Sequence, residues 1–150
     1  MVELMVVIVI LAVAAVMVLP YATGTSSLKA QSAARMAMAD LEWAQNQAIV
    51  LQSDVTVTFS VPGNSYTIAK QSQPLKHPIT HNDFVVDLNA RQGLEGVSIV
   101  SAAFGGTPQL TFQALGQPAS AGSVVLAAGA HTYQVTVAPV TGRITVTAIP

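Results

Sequence analysis

The sequence predicts an α+β chain, with one long N-terminal α-helix packed on an antiparallel β-sheet or small β-sandwich. Three observations predict it. An unbroken apolar run extends from Leu4 to Leu19 and closes on Pro20. From Leu28 to Gln52, small and apolar residues return every three or four positions, the spacing of one helical face. After Asp54 the pattern changes to strand-like alternation, interrupted by Gly- and Pro-bearing turns. The 150 residues suffice for one domain with a real core. We divide them into an apolar helix (1–23), an amphipathic helix (24–52) and a β-rich head (53–150).

Each element follows from its own residues. The run Leu4–Leu19 is apolar on every face, which disfavours a buried core helix. With Met1, Val2, Tyr21 and Ala22 it nears the roughly 20 residues of a spanning helix. No basic stretch precedes it and it is long for a signal h-region, so the expectation is a membrane-embedded helix kept in the mature protein. Pro20 and Gly24 mark the join, where a kink or local unwinding is expected. Ala34, Ala37, Leu41, Ala44, Ala48 and Leu51 form one packing stripe, with Lys29, Arg35, Asp40 and Glu42 off it on a solvated face. The alanines let a sheet approach closely, and Trp43 beside them is expected to pack on the sheet or on a neighbouring subunit. The helix should end near Gln52.

The strands come next. DVTVTFS (54–60) alternates Val55, Val57 and Phe59 with hydroxyl residues, VPGN (61–64) is a turn, and SYTIA (65–69) is its hairpin partner. Residues 70–82, with Pro74 and Pro78, read as a long loop. DFVVDL, GVSIV, QLTFQ and SVVLA are further short strands, and HTYQVTVAP–VTG–RITVTAI is a closing hairpin. In it Tyr133, Val135 and Val137 share a face that Ile144 and Val146 meet.

Composition narrows the function. Hydrophobic residues make up 51% of the chain and charged residues only 9%, against about a quarter charged in average soluble domains. Six basic and seven acidic residues give a net charge of −1, so no basic footprint for nucleic acid exists. Cysteine is absent, which removes disulfides and thiolate chemistry. A head surface of Ser, Thr, Gln and Ala is poorly suited to staying dispersed and well suited to touching neighbours. An O-linked sugar cover is the other option, since no N-x-S/T sequon occurs.

The stretch VELMVVIVILAVAA, with Glu3 and Pro20 seventeen residues apart, resembles the mature N-terminal helix of type IV pilin-like proteins. LEWAQNQAIVLQSDVTVTF (41–59) and the ending LTFQALGQP…TYQVTVAPVTGRITV resemble the GspH/FimT pseudopilins, through Phe112, Gly116, Gly142 and Arg143. Gln45 stands where that group usually shows arginine, and Thr145 where some DNA-binding members carry a second arginine. The resemblance implies a precursor with a short basic leader, cut before a residue that is usually phenylalanine. This sequence begins Met-Val-Glu, so against that pattern it lacks the first two mature residues or starts differently.

It further implies a subunit stored in the inner membrane by a single pass, then assembled into an extracellular or periplasmic filament of identical subunits, pilins or pseudopilins. Glu3 would pair with the α-amino group of a neighbouring subunit, that of Met1 in this sequence, as a register key. An unpaired carboxylate in hydrocarbon costs several kcal/mol, which gives the pairing its force. Pro20 and Gly24 would let the helix unwind as it leaves the bilayer.

Other chemistry is weakly supported. His77, His81 and Asp83 have ligand-like spacing, but Pro78 and the loop context argue against a metal site. His131 begins a strand without a partner in sequence. No G-x-S-x-G elbow or phosphate loop occurs, and neither an enzyme nor a cofactor is expected. The reading is a filament-forming structural subunit. The alternatives are a minor or priming GspH/FimT-like subunit, and a membrane-anchored binding module using the loops around 70–82 and 103–108.

Overall fold

The computed structural model describes residues 2–150, the side chains of residues 14–24 excepted. Helix α1 runs Val2–Val50, about 73 Å at 1.5 Å per residue. It carries Glu3 in its first turn, where a carboxylate suits the helix's positive end. α1 is helical through Pro20 and Gly24, without the local unwinding expected there. The side chains of residues 14–24, and Met1, lie outside the described residues. Among the described residues no helix is long and apolar enough to cross a membrane.

The helix stops for a local reason. Gln52 takes φ +45°, its N–H donates to Ile49 C=O at 3.2 Å, and Ser53 N–H donates to Ala48 C=O at 3.2 Å. These are the two bonds of a Schellman cap, with glutamine where glycine is usual. The cap corrects one expectation. Leu51, which its spacing put on the packing stripe, lies beyond the last helical turn and is 36% exposed.

Among the described residues nine strands follow: β1 Val55–Ser60, β2 Ser65–Lys70, β3 Gln73–Pro74, β4 Val85–Asp87, β5 Val97–Phe104, β6 Gln109–Phe112, β7 Gly122–Ala128, β8 His131–Val137 and β9 Ile144–Ile149. They form two antiparallel sheets. The first has the order β3-β2-β1-β6 with β4 also on β2, and the second has the order β5-β7-β8-β9. The β1–β2 hairpin closes through Ser60↔Ser65, and the final hairpin pairs Val137 with Ile144 and Val135 with Val146. β3 lies inside the segment read as loop. Two residues ending in proline carry no periodicity to read.

Alternation places Val55, Val57, Phe59, Ile68, Leu110 and Phe112 of the first sheet inside, with Val124, Leu126, Val135 and Val137 of the second. Phe59 stacks on Phe104 at 5.7 Å, joining the sheets. Helix α1 lies against β7, β8 and β9 of one sheet and β1 of the other. Ala30, Ala33, Ala34, Ala37, Leu41, Ala44 and Ala48 are buried in that seam. Trp43 stacks on Phe84 at 4.7 Å, within the same subunit.

Candidate functional site

The candidate site is the free part of the helix together with the contacts that aim it. Every residue from Val2 to Val13 is exposed, although only Glu3 among them is polar. Val2 and Met5 expose 77% and 72% of their surface. A helix that is apolar all round finds no stable place in water unless lipid or other helices cover it.

Four contacts hold the second half of α1 in a single direction. Lys29 Nζ pairs with Glu95 Oε2 at 3.0 Å, and Glu95 Oε1 accepts from Gly93 N–H at 2.8 Å. The Gly93 amide, then the lysine, hold the Glu95 carboxyl down at about 2. Asp40 is not on a solvated face, contrary to its spacing. It is half-buried and accepts from Tyr66 Oη at 2.5 Å. Burial raises the Asp40 carboxyl above its ordinary value, against the Tyr66 bond that lowers it. Burial first, and then the Asp40 charge, hold the Tyr66 phenol well above its usual range.

The third contact joins the residues of the pseudopilin resemblance. Gln45 Nε2 donates to Gly116 C=O at 2.8 Å and to Thr141 C=O at 3.2 Å. Gly116 (φ +81°) and Gly142 (φ +66°) close on the same corner, where an added Cβ would lie 2.8 Å from Ile49 Cδ1 and 2.5 Å from Gln45 Nε2 respectively. Glycine is required there for conformation and for space. One helical side chain thus ties down the turn after β6 and the β8–β9 turn. The fourth contact is the Schellman cap.

Asn64 is a structural residue that periodicity could not find. Its Oδ1 accepts from Ile99 N–H at 2.8 Å, and its Nδ2 donates to Val97 C=O at 2.8 Å and to Asn89 Oδ1 at 3.0 Å. The only signal was its place at the end of a turn, where asparagine tolerates φ +48°.

The metal candidates are engaged locally. His77 Nδ1 accepts from the N–H groups of Ile79 and Thr80 at 3.2 and 3.3 Å, and its ring packs on Phe84 at 4.7 Å. Asp83 pairs with Lys76 at 2.6 Å, and His81 sits at φ +58° with its N–H on His77 C=O. Among the described residues no group of three His, Cys, Asp or Glu is placed to hold a metal. A shallow cavity of about 300 Å³ on the outer face of the first sheet is lined by polar groups, including Asp54, Thr56, Thr58 and Thr111. Thr56 and Thr111 there bond each other at 2.9 Å.

Comparison with known proteins gives concordant findings. The family model for the type II transport protein GspH matches residues 33–142. No curated protein sequence matches. The fold is similar to that of the minor pseudopilin EpsH from the type 2 secretion system of Vibrio cholerae. The TM-score is 0.61 at 16% identity, over 80% of this chain and 97% of that one. A second EpsH structure gives 0.58 at 14% identity, over 83% and 96%. The type IV minor pilin FimU of Pseudomonas aeruginosa gives 0.52 at 16% identity, over 81% and 88%.

Proposed function

Because the chain belongs to the GspH family of type II transport proteins, a family of structural and not enzymatic subunits, we propose that it enters its pilus-like filament as a minor subunit through its apolar N-terminal helix. The observation that carries this reading is the helix Val2–Val13, exposed on every face and clear of the head. Before assembly lipid covers it, and in the filament the helices of neighbouring pilins or pseudopilins do. Burial is favourable at about 25 cal/mol per Å² of apolar surface, and each helix gains it only where others lie alongside.

Glu3 sets the register. Once helices exclude water, its carboxylate needs a cation, and a neighbour's α-amino group at the same level supplies one. Pro20 and Gly24 supply the point at which the helix unwinds on leaving the bilayer. The stripe Ala34, Ala37, Leu41, Ala44 and Ala48 keeps one face of the helix on its own head, so only Val2–Val13 is free on every face for neighbours. The minor role is supported by the likeness in fold to EpsH and FimU, both described as minor subunits.

Filaments sheared from cells making wild type or Glu3→Ala test both parts by quantitative mass spectrometry. The expected result is a chain present at far less than one copy per main subunit, and lost from filaments in Glu3→Ala while remaining in the membrane fraction. Incorporation of Glu3→Ala at the wild-type level would remove the register role. A wild-type chain as the dominant species would make it the main subunit. Its absence from filaments would favour the anchored binding module.

A further inference from the structure

Among the described residues the two sheets have four edges, and three are shortened, bulged or partly covered. On the first sheet the outer strands β3 and β4 are two and three residues long, and β3 ends in Pro74. The opposite edge, β6, is covered by a Phe112↔Pro118 bridge and by Ala119 N–H on Thr111 C=O at 2.8 Å. On the second sheet β5 carries a bulge between Ile99 and Ser101, and the Asn64 amide occupies its outward Ile99 N–H and Val97 C=O. Short strands, proline, bulges and covering groups are the devices that stop an edge from pairing.

β9 has none of them. Its six residues, ITVTAI, pair with β8 in unbroken register and contain no charge, proline or bulge. Ala138 N–H donates to Arg143 C=O at 2.9 Å, so this pair is a bonded one, and bonded pairs alternate along an antiparallel ladder. Thr145, Thr147 and Ile149 therefore bond to β8. The N–H and C=O groups of Ile144, Val146 and Ala148 point away from it. Among the described residues no hydrogen bond reaches them. Thr145, Thr147 and Ala148 are exposed, so the edge is accessible.

We infer that β9 is a docking edge to which a strand of a different pilin-like subunit is added by backbone pairing, an inference that rests on the filament role above. A row of alternating backbone donors and acceptors is complemented only by another extended backbone. The identity of the partner follows from symmetry. Neighbours in a helical filament are related by a screw, so their contacts are heterologous and β9 of one copy cannot meet β9 of the next. It must meet another edge, and the other edges of this chain are closed. A second copy offers no strand to add, so the added strand belongs to a different chain with an open edge. This places the subunit at a junction between unlike subunits.

The test uses the full chain in cells that make the filament, with a photo-crosslinking amino acid at Thr147 and, separately, at Val9. The expected Thr147 adduct joins β9 to an edge strand of another pilin-like protein, identified by mass spectrometry. Ala148→Pro removes one outward N–H without touching a β8 bond, and should lower that adduct about tenfold, the worth of one or two backbone hydrogen bonds. Adducts at Val9 should persist. If the melting temperature of Ala148→Pro falls, Thr145→Lys serves instead, since it charges the edge and leaves the backbone alone. Adducts at Val9 with none at Thr147 would overturn the docking edge and spare the filament role. Thr147 adducts only between two copies of this chain, or unchanged in both variants, would also overturn it. Absence of adducts at both positions would overturn both readings.

Discussion

Asn64 shows how much one side chain can hold at the end of a turn. It supplies β5 with the two bonds an extra strand would have made, from a left-handed backbone position that few other residues accept. Asn64→Ala should therefore cost about 2–3 kcal/mol, measured by denaturant unfolding in detergent, because Ile99 N–H and Val97 C=O lose their partner. Asp40 acts in the opposite sense. Burial raises its carboxyl, so the folded chain holds that proton more tightly than the unfolded chain does. Its contribution favours folding below the ordinary carboxyl range and is lost as pH rises through the folded value. Asp40→Asn keeps an acceptor for Tyr66 and removes the charge. It should be more stable than wild type at neutral pH, and melting curves should show that advantage vanish at a pH below the ordinary carboxyl value.

Among the elements, α1 is the one whose ends and faces have separate causes. Its lower half is seated by alanines because a sheet can lie close against a methyl group, and Ala37 exposes only 2% of its surface. A larger side chain there forces the helix from β7 and β8, so Ala37→Leu should cost about 1–3 kcal/mol in the same unfolding measurement. The C-terminal cap leaves room for improvement. Gln52 occupies the left-handed position at φ +45° that glycine takes without strain. Gln52→Gly should add about 0.5–1 kcal/mol, read as a higher unfolding midpoint with an unchanged slope.

At the scale of the whole molecule, the chain divides its labour along the helix. One face of residues 30–48 belongs to the head's core, and Val2–Val13 belong to no part of it. Head stability and assembly should therefore separate experimentally. Val9→Lys should leave unfolding of the head within about 0.5 kcal/mol of wild type. The same change should eliminate the chain from sheared filaments, since a charge among packed apolar helices goes unpaired.

Much of this protein was legible from local pattern. The apolar run, the three-and-four spacing of the alanines, and the pairing of Val135 with Val146 and Val137 with Ile144 follow from periods of 3.6 and 2, which the backbone enforces residue by residue. The blocks 41–59 and 110–146 pointed to the GspH family by resemblance, through residues such as Phe112, Gly116, Gly142 and Arg143, and the matching family model covers residues 33–142. Other features were out of reach. Leu51 carried the right spacing but is the capping residue, exposed because the chain leaves the helix at Gln52. Asp40 looked solvated, because nothing adjacent to it in sequence reveals that Tyr66 folds over it. The bridge from Gln45 to two turns and the Asn64 staple each join residues far apart along the chain, and the open edge of β9 depends on where all the other strands lie. Periodicity constrains what neighbours in sequence can do. Which distant groups meet, and which strand is left without a neighbour, is settled only when both sheets close on the helix.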